Sequence, residues 1–175
     1  MAYVILGLLI LRPMSLYDMV KAFETGVSLF YSASSGSITR ALESLVKQGH
    51  VEIASIEEGG RGRKTYQVTG SGREHFRAWM LAEPTGDLET SALSRLYFLG
   101  LLDANERPEV LTNIETRVAA DLAQLEALET HVQQQDVPDD LRDVTVYQRA
   151  TLQYGLASHR HALTWFREQL GNPPR

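Results

Sequence analysis

The residues best suited to chemistry are cations on a glycine-rich tip. Arg61, Arg63 and Lys64 lie in "EEGGRGRKT", residues 57–65. Glycine lets such a backbone approach a large surface closely, and three local charges are enough for a salt-dependent affinity for phosphates. Upstream, "SSGSITRALESLVK" (34–47) puts Ser35, Ser37 and Thr39 at the start of a helical pattern, with Arg40 and Lys47 further along. Small hydroxyl side chains at a helix start admit a phosphate or a base edge, and the backbone N–H groups there attract anions. Arg40 suits a guanine edge or a phosphate, and Lys47 suits a phosphate. Each group also has an ordinary reading, as a solvated helix face or a solvent-facing tip. Helix and tip together, in this order, favour contact with DNA.

Catalytic readings fare worse. "GGRGRKT" has Arg63 where a phosphate-binding loop needs glycine before Lys64, and a strand pattern rather than a helix follows it. "GSG" at 70–72 is a turn entering a helix, too short to specify a dinucleotide site. His159 and His161 are two apart on a helix, roughly 200° apart in direction, and cannot chelate one metal together. His50, His75 and His131 sit singly in different elements. No Ser–His–Asp or paired-carboxylate spacing stands out. The chain is expected to be no enzyme and to carry neither metal nor cofactor.

The elements that must position these residues follow from periodicity. A first helix covers about 2–11 and stops before Pro13; its apolar run Val4–Leu11 is eight residues, far short of the ~20 of a membrane span. The start also lacks the features of a signal peptide. Ser15 caps a second helix with Leu16, Met19, Val20 and Phe23 on one face, and Gly26 ends it. The third helix runs from Ser34 or Ser35 to about Gln48. Ile38, Leu42, Leu45 and Val46 face one way; Arg40, Glu43, Ser44 and Lys47 face the other. Two alternating segments, 50–56 and 64–69, flank the tip as a hairpin, and a fourth helix follows through His75, Phe76, Trp79 and Met80. Three helices and a two-stranded wing make a winged helix-turn-helix.

"AEPTGD" (82–87) reads as the domain boundary. It also divides the charge. The whole chain carries −5, yet residues 1–80 hold nine Lys/Arg against seven Asp/Glu, whereas 81–175 hold eight against fifteen. A mildly basic module is thus joined to an acidic one. There is no cysteine, which fits a reducing cytoplasm.

The acidic half reads as helix: 88–102, then a long helix from near Pro108 to about Gln135, then a last one over about 141–170. Leu111, Val118, Leu125 and Val132 recur every seven residues, with Ile114 and Leu128 between and Asp121 interrupting the seam. That seam packs either on another helix of the same chain or on a second subunit. The last helix has two stripes: Leu152, Leu156, Leu163, Phe166 and Leu170; and Tyr147, Tyr154, His161 and Trp165. The aromatic stripe is the candidate effector or interface surface.

Three segments, "LRPMSLYDMVKAF", "SSGSITRALESLVKQGHVE" and "GRGRKTYQVTGSGREHFRAWM", resemble the PadR family of bacterial transcription regulators in order and spacing from Pro13 through Trp79. "SRLYFLGLL" and the helical spacing extend the resemblance to the subgroup with a virulence-activator-like helical C-terminal domain. The resemblance implies a homodimeric DNA-binding repressor, often responsive to small aromatic or amphipathic compounds. Two positions depart from the family pattern: Leu16 where a glycine precedes the tyrosine of the second helix, and Thr39-Arg40 where a Tyr-Pro pair is common. Neither residue is needed for core packing, so the fold expectation stands, but the lost Tyr and the gained Arg alter the contacts offered to DNA.

The fold expected is mainly α with a small β-hairpin: a winged helix-turn-helix DNA-binding domain over 1–82 and an α-helical dimerisation and effector domain over 83–175. The expected partners are double-stranded DNA with a palindromic operator, a second copy of the chain and a small effector, with no membrane, and the site of action is the cytoplasm. The alternative is a winged helix used for protein contacts without DNA.

Overall fold

The computed structural model describes residues 1–56 and 62–171. In chain order the elements are α1 (Ala2–Leu11), β1 (Met14–Ser15), α2 (Leu16–Thr25), α3 (Ser35–Lys47), β2 (Val51–Ile56), β3 (Lys64–Val68), α4 (Gly70–Leu81), α5 (Leu88–Phe98), α6 (Arg107–Gln133) and α7 (Arg142–Gly171). Short 3₁₀ turns at Val27–Leu29, Leu99–Leu101 and Asp139–Leu141 link them. The chain groups into two compact units, Met1–Val110 and Leu111–Arg175. The long α6 passes from one into the other.

In the first unit, α1 is apolar nearly all round, and Val4, Ile5, Leu6, Leu8 and Leu9 are all buried. Gly7 matters here, because a Cβ at this position would stand 2.8 Å from the Phe98 ring. The amphipathic α2 and α3 bury Met19, Phe23, Ile38, Leu42 and Leu45. The wing is one strand richer than a hairpin. The sheet order is β1-β3-β2, all antiparallel, with Met14 opposite Tyr66 and Val51 opposite Val68. Two residues are too few to show an alternation in sequence, so β1 reads there as a turn before α2.

Two joints fix α3 relative to its neighbours. Gly49 leaves α3 with φ +76, the left-handed conformation that suits glycine at a helix end. Thr69 then closes the corner: its N–H donates to the His50 carbonyl (3.0 Å) and its hydroxyl donates to the Gly49 carbonyl (2.7 Å). The same hydroxyl accepts from Gly72 N–H and so caps α4. At Gly72 the backbones come so close that a Cβ would lie 2.1 Å from the His50 oxygen.

The largest buried side chain is Arg95, 1% exposed. Its guanidinium lies 4.4 Å over the Trp79 ring and donates to the Trp79 and Ala82 carbonyls at the end of α4, and to the carbonyl and hydroxyl of Ser91. It thereby satisfies the last carbonyls of α4 while tying α5 to them. Helical spacing leads one to expect this segment to run to Leu102; the α-helix ends at Phe98 and a 3₁₀ turn continues to Leu101.

In the second unit α6 and α7 run antiparallel. Glu115 pairs with Arg167 (2.8 Å), Glu126 with Arg160 (3.0 Å), and Glu129 accepts from Gln153. The heptad seam therefore has a partner helix in its own chain. Leu111, Ile114 and Val118 are buried, whereas Leu128, towards the end of the seam, is 47% exposed. Asp121 is met by Arg117 at 2.9 Å on the same helix. Among the described residues no helix is long and apolar enough to cross a membrane.

Candidate nucleic-acid interface

The start of α3 is built from serines that bond to each other. Ser34 is the N-cap, accepting from Ser37 N–H at 3.3 Å. The Ser37 hydroxyl donates back to the Ser34 carbonyl at 2.8 Å, and the Thr39 hydroxyl donates to the Ser35 carbonyl at 2.9 Å. Ser37 and Thr39 are half-buried with their hydrogens committed to the helix, so toward a ligand they can only accept. Ser35 and Gly36 are exposed. A Cβ at Gly36 would come within 3.7 Å of the Arg40 guanidinium, so the exposed Arg40 side chain lies back along α3 toward its start. Its charge joins the partial positive charge of the helix end. Lys47, also exposed, is at the other end of α3, roughly 18 Å along the helix axis from Ser35.

The wing supplies the rest. Lys64 opens β3 opposite Ile56 and is exposed. Arg63 precedes it but is tied down: its NH2 donates to Asp18 Oδ2 at 2.8 Å and to the Ser15 hydroxyl at 3.0 Å. Arg61, with Glu57 and Glu58, lies outside the described residues. A hollow of about 500 Å³ opens beside the wing base, lined by Ser15, Leu16, Tyr17, Gly62, Arg63, Lys64 and Tyr66.

Asp18 and Tyr17 are the residues sequence reasoning passed over. Asp18 completes a capping box with Ser15, and the Ser15 hydroxyl bond, more than Arg63, holds its carboxyl below the usual carboxylate range. Tyr17 is 69% exposed on the first turn of α2. The spacing Ser15–Asp18 is a visible capping signal; that the acid also faces the wing depends on a contact 45 residues away.

A ladder of rings runs from the exit of α3 into the unit. His50 stacks on His75 (4.4 Å between centroids, 6° between planes), His75 lies 5.1 Å from Tyr3, and Tyr3 stacks on Trp79 (4.7 Å). Burial and then the charge of His50 keep the His75 pKa below its ordinary value.

On α7, Tyr147 and Tyr154 stand out from the surface at 75% and 76% exposure, and His161 is exposed too. Trp165 is half-buried, edge-on to Phe166. The other stripe is turned inward, with Leu156, Leu163 and Phe166 buried.

Comparison with known proteins gives two adjoining matches. A family described as transcriptional regulator PadR-like matches residues 5–78, and one described as virulence activator alpha C-term matches residues 91–172. A curated relative, the negative transcriptional regulator PadR of Bacillus subtilis, is 25% identical over 127 residues, 71% of this chain and 70% of that protein. Among solved structures, Bacillus subtilis PadR in complex with operator DNA is 22% identical, with 97% of this chain and 96% of that one covered and a TM-score of 0.43. The Vibrio cholerae virulence activator AphA is 23% identical, with 97% and 95% covered and a TM-score of 0.40.

Proposed function

The chain belongs to the PadR-like family of transcriptional regulators, with a virulence-activator-type C-terminal region, and from that premise we propose a sequence-specific repressor that binds a palindromic operator as a homodimer. It is a DNA-binding regulator and not an enzyme. The observation that carries the finer reading is the end of α3, where exposed Ser35, Gly36 and the folded-back Arg40 gather around a helix N-terminus in a winged helix-turn-helix.

In this reading Arg40 and the serine–threonine cluster of Ser35, Ser37 and Thr39 meet base edges and phosphate. Lys47, Lys64 and Arg61 supply backbone affinity from the far end of α3 and the wing, and Arg63, latched to Asp18, holds the wing base in place beside Lys64. The functional division falls near residue 82, with the DNA-reading part before it. Residues 83–175 pair two subunits, supported by the exposed Tyr147 and Tyr154 on α7. Repression accords with the name of the Bacillus subtilis relative, a negative regulator. A small aromatic or amphipathic effector relieves it, acting in the cytoplasm where the operator is.

Fluorescence anisotropy of a labelled duplex from the gene's own upstream region tests this, at two salt concentrations and against unrelated competitor DNA. Tight binding that survives competitor and weakens with salt supports it. Failure to bind that duplex or a pool of genomic fragments refutes it and leaves the protein-contact winged helix.

A further inference from the structure

Two histidines meet face to face where α3 gives way to the wing. His50 follows Gly49 and precedes β2, and its ring stacks on His75 of α4, with centroids 4.4 Å apart and 6° between planes. We propose that this pair is a proton-operated clasp on α3 and the wing, closed while one ring is neutral and opened by acid, which releases DNA; the release rests on the DNA-binding reading above.

His50 is joined to every part the clasp moves. Its N–H donates to the Leu45 carbonyl of α3 (3.0 Å), its carbonyl accepts from Thr69 N–H just past β3 (3.0 Å), and Val51 beside it opens β2. Its Nδ1 lies 3.1 Å from the Ser71 hydroxyl, a group that donates or accepts as the tautomer requires. His75 lies between His50 and Tyr3 of α1, whose ring is 5.1 Å away. Both imidazoles are half-buried, so water screens their charges only in part.

The surroundings do little to favour two charged rings. One turn from His75 on α4 stand Ser71, Gly72, Ala78 and Trp79, none of them charged. Arg73 and Glu74 are exposed and do not share its face of the helix. From the other elements come Tyr3 and the Met1 amino group of α1, exposed Lys47 at the end of α3, and Glu52 of β2, which is taken up by Gln67 (2.7 Å). Among the described residues His50 is the one charge that acts on His75; burial first, and then that charge, keep the His75 pKa below its ordinary value.

The direction of the response follows. At neutral pH His75 is uncharged and the stack is closed. As pH falls through the lowered folded value, both rings come to carry a proton and repel each other face to face. The corner cannot absorb the push, because a Cβ at Gly72 would already stand 2.1 Å from the His50 oxygen. The displacement passes to the exit of α3 and the root of β2. Ordinary exposed histidines act the opposite way, since phosphates favour their protonation and acid strengthens their contribution. Weaker binding in acid is therefore a signature of the clasp.

NMR titration of the histidine rings tests the clasp. His50→Phe or His50→Gln should raise the His75 midpoint, and a midpoint that stays put in both overturns it. Anisotropy of the upstream duplex at constant salt, from pH ~7.5 down to ~5.5, tests the release. The unaltered protein should bind roughly tenfold more weakly at the acid end, as for a one-unit difference in proton affinity between bound and free protein. His75→Phe, or His75→Gln where the larger ring does not fold, should match it at the neutral end and lose or reverse the dependence. Binding by the unaltered protein that tightens in acid or ignores pH overturns the release, as does a His75 variant with an unchanged profile. Loss of binding that coincides with loss of helical circular dichroism is unfolding, and overturns it too. A shifted midpoint in a protein that binds no duplex at any pH establishes the clasp and sinks the DNA-binding reading, together with the release that rests on it.

Discussion

Arg63 and Asp18 form a 2.8 Å ion pair that latches the base of the wing to the first turn of α2. The Arg63 side chain is 51% exposed, so water screens the pair and its share of stability is below about 1 kcal/mol. Its larger effect is geometric, since the residue next to Lys64 is held in place. Asp18→Asn should lower operator affinity by roughly the fivefold that 1 kcal/mol represents. The double variant Asp18→Asn/Arg63→Ala should bind no worse than Arg63→Ala alone. Tighter binding by Asp18→Asn would show instead that Arg63 leaves Asp18 to reach a phosphate.

Charge on the reading surface should be visible in the salt dependence. Arg40→Ala and Lys64→Ala should each reduce the slope of log affinity against log salt by about 1.8, one released counterion from each subunit of the dimer. Ser37→Ala should leave the slope alone, because that hydroxyl carries no charge and already donates to Ser34. Anisotropy titrations across a salt series check all three.

Gly72→Ala should destabilise the protein by on the order of 3 kcal/mol or more, because the atom in the way is a backbone oxygen with no room to yield. Gly70→Ala, two residues earlier with open space around it, should be neutral or slightly stabilising. Urea unfolding of the two variants separates crowding from a general aversion to substitution in this turn.

Truncating Arg95 to alanine removes a large buried side chain and strips the end of α4 of donors, at a cost of about 3 kcal/mol. Burial lowers the Arg95 pKa to about 10, so the group is a cation throughout the neutral range. Lysine in its place keeps charge but loses the planar stack on Trp79 and the forked donors, and should recover only part of the loss. Thermal melts of the two variants read this out.

His75 predicts acid sensitivity. Its folded pKa lies below 6.5, so on acidification the unfolded chain takes up the proton first. Stability should therefore be complete above the unfolded value and fall as pH drops through it toward the folded one. Melting temperatures from pH ~7.5 down to ~5.5 should decline. His75→Phe, which keeps a ring against Tyr3 and His50, should flatten the decline.

The sequence revealed what depends on local repetition. The all-apolar α1, the Ser15 cap, the one-sided α3 and the glycine exit at Gly49 are signals written within a few residues of where they act. The three basic residues at the wing were legible as charge, but not as one latched and one free: Arg63 is spoken for by an acid 45 positions away, while Lys64 stays exposed. Arg95 was invisible for the same reason. An arginine between Ser94 and Leu96 on an amphipathic helix reads as solvated, and only the arrival of Trp79 from 16 residues upstream makes it a buried cation. Likewise the tyrosines of α7 show their spacing in sequence, but not that they project from the surface.

The tight meeting of Gly72 with His50 bears on mechanics. With Thr69 gripping both Gly49 and His50, the exit of α3 and the entry of α4 form a stiff corner without slack. The two helices then turn together like the arms of a bell crank. A small tilt imposed at Trp79, near the far end of α4, would arrive at Arg40 as a displacement of the start of α3, with no loop in between to absorb it.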